Sequence, residues 1–154
     1  MVADFCIKNG IKVVTAESCT AGLMAATIAQ TPGSSAWLDS GYVVYTAEAK
    51  IRMLGVSPDT IARFDITSEA VACEMALGAL ERSTATLAMA VTGLAGPGGG
   101  TVSIPVGTVC MAWAFRDRDV VTLTRVFEGD RNSIRQQVVD LMLSQAPSYY
   151  LLSS

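Results

Sequence analysis

Residues 12–22 read KVVTAESCTAG, and residues 23–30 continue as LMAATIAQ. The first half is a run rich in β-branched residues, and CTAGLMAATIAQ (19–30) is alanine-rich and predicts a helix, with the change falling at Glu17, Ser18, Cys19 and Thr20. A strand that hands over at once to a helix is the opening of a β-α-β unit, so this stretch predicts an α/β fold. TPGSS (31–35) stops the helix, and SGYVVYT (40–46) supplies the second strand.

Working outward, VADFCIKNG (2–10) reads as the last turns of a short helix stopped at Gly10. TAEAKIRMLG (46–55) and VSPDTIARF (56–64) are helical pieces, the second with Pro58 in its first turn. TSEAVACEMALGALERS (67–83) is the clearest helix, with Thr67 as N-cap and Val71, Met75, Leu77 and Leu80 at the spacing of a buried face. TLAMAVTG (86–93) is continuously apolar, as a central parallel strand should be.

The rest departs from strict alternation. A Gly- and Pro-rich loop (94–106) leads to the strand GTVCMAWAF (107–115), and only RDRD (116–119) separates it from VVTLTRVFEG (120–129). A parallel crossover needs a dozen or more residues, whereas four polar residues suit a hairpin, so the fourth strand is expected antiparallel to its neighbours. GDRNSIRQQVVDLMLSQA (129–146) closes the chain as a helix with Asp130 as N-cap and Val138, Leu141 and Met142 turned inward. The sum is one domain over residues 1–154, a three-layer α/β/α sandwich with a mixed, mostly parallel sheet of about five strands.

Composition narrows the function. Of the 154 residues 51% are hydrophobic, enough to bury a sizeable core. The net charge is −3 and the 11 Lys and Arg residues are scattered, so no basic stripe speaks for nucleic acid. Two stretches without charge, 18–38 and 83–115, are interrupted by Ser, Thr, Gln, Pro and Gly and are not expected to span a membrane. The N-terminus lacks the pattern of a signal peptide, which makes the cytoplasm the expected address. Mean hydropathy of +0.41 points to an apolar surface covered in a homodimer. The four cysteines form no CxxC pair, and there is no histidine, which excludes Ser-His-Asp triads, Cys-His dyads and imidazole metal sites. No metal and no cofactor are expected.

Four elements carry candidate chemistry. Ser18 sits at a strand-to-helix turn, where an α/β sheet binds its ligands; it is either a helix cap or a nucleophile whose oxyanion the following backbone N–H groups, those of Cys19 and Thr20, would hold. Without histidine a serine needs another base, and a desolvated lysine with a tyrosine relay is one solution. Tyr45 and Lys50 close the second strand and are expected at the sheet edge that holds Ser18, unless Lys50 is a solvated helix lysine. VTGLAGPGGG (91–100) gathers five of the 13 glycines beyond the apolar strand, so the loop either presents N–H groups of Gly93 and Gly96 to a phosphate, with Thr92 adding a hydroxyl, or is a disposable connection. Arg131 opens the last helix, where acids are usual, and faces either an anion or solvent.

TAESCTAG, GSSAWLDSGYVVYTAEAK, TGLAGPGGG, PVGTV and FEGDRNSIRQQ, in this order and spacing, resemble the CinA C-terminal domain family over about residues 11–143. The resemblance implies the α/β/α fold and the hydrolysis of the carboxamide of nicotinamide mononucleotide to nicotinate mononucleotide and ammonia. It implies Ser18, Tyr45 and Lys50 as the catalytic set, with Thr92 and Arg131 holding the nucleotide. The family usually has a second glycine where this chain has Ala21, and a charged loop where it has GTVSIP (100–105). A non-catalytic nucleotide-binding relative is the alternative. A short-chain reductase, suggested by the nearby Tyr and Lys, lacks both its i, i+4 spacing and its glycine-rich opening turn.

Overall fold

The computed structural model describes residues 1–153. Its elements are α1 (Val2–Lys8), β1 (Val13–Glu17), α2 (Leu23–Ala29), a 3₁₀ turn (Ser34–Ala36), β2 (Leu38–Val43), α3 (Ala47–Leu54), α4 (Pro58–Phe64), α5 (Glu69–Glu81), β3 (Leu87–Gly93), β4 (Thr108–Phe115), β5 (Val121–Val126) and α6 (Arg131–Leu152). The five strands form one sheet in the order β2-β1-β3-β4-β5. β1 pairs parallel with β2 and β3, and β4 runs antiparallel to both β3 and β5, as the short hairpin at 116–119 required. Among the described residues no helix is long and apolar enough to cross a membrane.

The central strands are buried on both faces, but the two faces differ in size of side chain. Leu87, Met89 and Val91 of β3 and Val109, Met111, Trp113 and Phe115 of β4 join α1, α2 and α6 in one core cluster. Their alternating neighbours Ala88, Ala90, Cys110, Ala112 and Ala114 join α3 and α5 in the other. Small residues on that face let α5 lie close to the sheet. Gly78 of α5 does the same for α3: a Cβ there would stand 2.0 Å from the Leu54 carbonyl oxygen.

Four local expectations need correction. α2 begins at Leu23 rather than at Cys19, for a reason that belongs to the site below. The N-cap of α5 is Ser68, whose Oγ accepts from the Val71 N–H, and not Thr67. Leu77 lies on the outer face of α5 and is 47% exposed. The last helix does not stop at Ala146 but runs through Pro147 to Leu152. A proline inside a helix removes one hydrogen bond. Here the turns beyond it are held by packing: Tyr149 lies on Trp113, Tyr150 on Phe5 and Phe115, and the Arg118 guanidinium sits 3.9 Å from the Tyr150 ring centroid.

From the C-terminal end of β1 the chain passes through α2 to β2 at one edge of the sheet, and then through helices on the opposite face to β3 on the other side of β1. Connections that leave a strand end toward opposite faces open a crevice there, which is where open α/β sheets place ligands.

Candidate active site

Ser18 follows β1 directly, and its N–H donates to the Val91 carbonyl at 3.0 Å, which ties it to the end of β3. The chain then makes a tight turn before any helix begins. The Ala21 N–H donates to the Ser18 carbonyl, and Ala21 and Gly22 both take positive φ, 47° and 94°. Glu17 is the cause. Its buried carboxylate accepts from Thr20 Oγ1 at 2.7 Å and from the N–H groups of Met24 and Ala25 at 2.8 and 3.1 Å. Those N–H groups belong to the first turn of α2, where no intrahelical acceptor exists and where the peptide dipoles favour an anion. The N-terminus of α2 is therefore occupied by the protein's own carboxylate. Ser18 neither caps that helix nor borrows its dipole, and Thr20 lies beneath the turn with its hydroxyl committed to Glu17.

Lys50 reaches Ser18 from the neighbouring connection. Thr46 Oγ1 accepts from the Ala49 N–H and sets the start of α3, so that Ala49, Lys50 and Leu54 form its buried side. Lys50 is fully buried, while Glu48 lies on the exposed side. Lys50 Nζ is 2.9 Å from Ser18 Oγ, 2.9 Å from the Val44 carbonyl oxygen and 3.3 Å from that of Tyr45. A neutral amine has two hydrogens and one lone pair. Lys50 Nζ donates to all three oxygens as an ammonium, and on losing a proton it can keep both carbonyls and turn its lone pair to the serine hydroxyl. Burial pushes the lysine down to about 8, with Cys19 acting the other way. Cys19 itself is pushed up to about 11 by burial, so at neutral pH it is a thiol and a poor nucleophile.

Tyr45 contributes in two ways. Its carbonyl is the second acceptor for Lys50 and lies 3.4 Å from Ser18 Oγ, whereas its side chain is half exposed and its hydroxyl accepts from Arg131 Nη2 at 2.7 Å. The other arm of Arg131, Nη1, donates to the Gly96 carbonyl at 2.7 Å. The guanidinium thus spans the mouth of a cleft of about 230 Å³ whose lining includes Ser18, Cys19, Tyr45, Thr92, Gly93, Gly96 and Arg131. Among the described residues no carboxylate side chain lines it. Gly93 has no room for a side chain, since a Cβ would stand 2.7 Å from the Thr108 carbonyl oxygen. Thr92 Oγ1 donates to the Ile66 carbonyl at 3.0 Å and stiffens the wall.

The predicted residues therefore converge, with Lys50 and Thr20 one layer below the cleft floor. Two further residues escaped the sequence reading. Glu17 is one. Arg135 is the other: its Nε donates to the Cys19 carbonyl at 3.0 Å and its Nη2 to the Thr20 carbonyl at 2.9 Å. The available signal was the i, i+4 spacing of Arg131 and Arg135, which puts both on one face of α6.

A family model described as the CinA C-terminal domain matches residues 1–149. A CinA-like protein of Akkermansia muciniphila is 49% identical over 131 residues, covering 85% of this chain and 32% of that longer protein. The nicotinamide-nucleotide amidohydrolase PncC of Escherichia coli K12 is 45% identical over 129 residues, covering 84% of this chain and 78% of the relative. Among solved structures, a competence/damage inducible protein of Agrobacterium tumefaciens superposes with a TM-score of 0.90 at 42% identity, covering 96% of this chain and 92% of the other.

Proposed function

The chain belongs to the CinA C-terminal domain family, and from that premise we propose that it is a nicotinamide-nucleotide amidohydrolase that converts nicotinamide mononucleotide to nicotinate mononucleotide and ammonia. The single observation that carries the reading is the buried Lys50 amine, 2.9 Å from Ser18 Oγ and with its pKa lowered to about 8. The relative named as a nicotinamide-nucleotide amidohydrolase at 45% identity supplies the substrate class.

Ser18 Oγ attacks the carboxamide carbon while its proton passes to Lys50 Nζ. The carbonyl oxygen becomes an oxyanion facing the free N–H groups of the turn. When the tetrahedral intermediate collapses, the C–N bond breaks and the nitrogen takes the proton from Lys50 and leaves as ammonia. Water then attacks the acyl ester, again giving its proton to Lys50. The second collapse returns that proton to Ser18 Oγ and releases the carboxylic acid, which gives its proton to solvent to become nicotinate mononucleotide. The direct Lys50–Ser18 contact leaves the Tyr45 hydroxyl with no relay to perform; with Arg131 and the glycine loop it orients the ribose phosphate.

Incubation with nicotinamide mononucleotide, nicotinamide riboside and nicotinamide, with ammonia as readout, tests the reading. Rapid turnover of the mononucleotide alone is expected. Equal turnover of the riboside removes the phosphate role of Arg131, and a thermal shift without ammonia means a binding protein rather than an enzyme.

A further inference from the structure

We infer that Arg135 is a positioning residue that sets the oxyanion hole beside Ser18; the inference rests on the amidohydrolase reading of that serine. The N–H and C=O of a trans peptide point in opposite directions. The Ser18 carbonyl is held by the Ala21 N–H, which fixes the direction of the Cys19 N–H. The Cys19 carbonyl is held by Arg135 Nε at 3.0 Å, which fixes the direction of the Thr20 N–H away from α6. The second arm of the guanidinium holds the Thr20 carbonyl, and Nη1 donates to Asn132 Oδ1 at 3.2 Å, so the fork cannot turn.

Apart from the Cys19 N–H lying against its own residue's sulfur, the Cys19 and Thr20 N–H groups donate to no backbone carbonyl among the described residues. They follow the serine directly in the chain. A pair of fixed, unclaimed donors beside a nucleophile is what a developing oxyanion needs, because donors already oriented cost no reorganisation during the reaction. Arg135 is well placed to orient them: it is half-buried, and its neighbours on α6, Ile134 and Val138, are locked in the core. Within the turn the Ala21 N–H holds the Ser18 carbonyl and the Leu23 N–H shares the Thr20 carbonyl with Arg135, so the Cys19 carbonyl, and with it the Thr20 N–H, depends on Arg135. Glu17 grips the turn through the helix that follows and Arg135 through its carbonyls.

Two measurements on Arg135→Gln and Arg135→Lys test this. The first is kcat and KM on nicotinamide mononucleotide across pH. Arg135→Gln is expected to lower kcat roughly 100-fold, the scale of losing an oxyanion-hole donor, with KM within about threefold. The pH inflection set by Lys50 should stay in place, whereas a merely structural loosening would admit water to Lys50 and move it. Arg135→Lys, able to hold one carbonyl, should fall between.

The second measurement does not depend on the nucleotide: titration with phenylboronic acid followed by ¹¹B NMR. Ser18 Oγ bonds to the trigonal boron as its proton passes to Lys50, giving a tetrahedral anion whose oxygen enters the same hole. Wild type should bind, and Arg135→Gln should bind at least about tenfold more weakly. If wild type binds the boronate but releases no ammonia from the nucleotide, the substrate assignment fails and the positioning role is still decided by the boronate series. A folded Arg135→Gln protein that keeps kcat and boronate affinity within about threefold of wild type overturns the inference, as does a wild type that forms no tetrahedral adduct. Should Arg135→Gln not fold, Arg135→Lys decides by the same criteria.

Discussion

Two polar pairs flank the cleft, one beneath its floor and one at its rim, and they differ in water and in the kind of cation they hold. Lys50 and Ser18 meet at 2.9 Å, Arg131 and Tyr45 at 2.7 Å. The first pair is packed beneath the floor, with Lys50 fully buried and Ser18 7% exposed; in the second, Tyr45 is 53% exposed. Distance alone would rank them as equals. Burial and side-chain chemistry together separate them, because a desolvated ammonium is disfavoured and becomes a neutral base near physiological pH, whereas a guanidinium stays charged and, at a wet rim, serves an anion. Two cations 32 and 86 residues from their partners thus take opposite roles from their own chemistry and their surroundings together.

Removing the buried amine is the strongest way to break this contrast. Lys50→Met should lower kcat by ~10³-fold or more and abolish the pH inflection near 8, while Lys50→Arg should not rescue, since guanidinium stays protonated. The sign of the stability effect follows from linkage. Lys50 has a folded pKa of about 8 and an unfolded value near 10.5, so the desolvation cost is fully present below pH 8 and is relieved as pH rises between the two values. At pH 7 that cost is roughly 3 kcal/mol before its hydrogen bonds are counted. The stability of Lys50→Met relative to wild type should therefore be greatest at pH 7 and fall, by an amount on the order of that cost, as pH rises to about 10.5. Denaturant titrations at the two pH values check it; a constant difference would mean that the amine is not desolvated.

Ser18→Ala should cost a similar ~10³-fold in kcat but leave stability within about 1 kcal/mol, the worth of one hydrogen bond. Circular dichroism with an ammonia assay separates the two effects. Residual activity near wild type would move suspicion to Cys19 in spite of its raised pKa. At the wet rim the losses should be smaller and fall on binding. Arg131→Met should raise KM for the mononucleotide ~10- to 100-fold, as losing a charged hydrogen bond does, with little change for the riboside. Tyr45→Phe keeps the carbonyl that holds Lys50 and loses only the hydroxyl, so less than tenfold in kcat/KM is expected. A loss as large as that of Lys50→Met would return the hydroxyl to the proton path.

How much of this was legible depended on the range of the interaction. The strand after Lys12, the apolar β3 and the hairpin that turns β4 over are written in local periodicity and loop length. Ser18 and Lys50 could be brought together because adjacent parallel strands deliver both to one sheet edge. The late start of α2 was not legible, because its cap is Glu17, seven residues before Met24, outside any capping-box spacing. Arg135 lies 116 residues from the Cys19 carbonyl it holds, and only its i, i+4 relation to Arg131 hinted at a shared face. The persistence of α6 beyond Pro147 rests on Trp113, Phe115 and Phe5 from distant strands and helices, so local proline chemistry pointed the wrong way.

The smallest effect sits in the turn that joins the two halves of the site. Ala21 holds φ 47° and Gly22 φ 94°. A left-handed conformation costs a residue with a Cβ roughly 1–2 kcal/mol, while glycine gives back about 0.5–1 kcal/mol in chain entropy. Ala21→Gly should therefore stabilise by at most ~1.5 kcal/mol, a rise in Tm of no more than about 6 °C for a domain of this size. Activity should stay within about twofold, because Glu17 and Arg135 hold the turn from both sides whichever residue occupies position 21. Gly22→Ala makes the opposite control: its added Cβ finds Val43 at an ordinary 3.6 Å, so any loss reports backbone strain and not a clash. A destabilised Ala21→Gly protein would show that the alanine methyl contributes packing that outweighs its strain, and the turn would then owe its shape to its own residues more than to the two side chains that grip it.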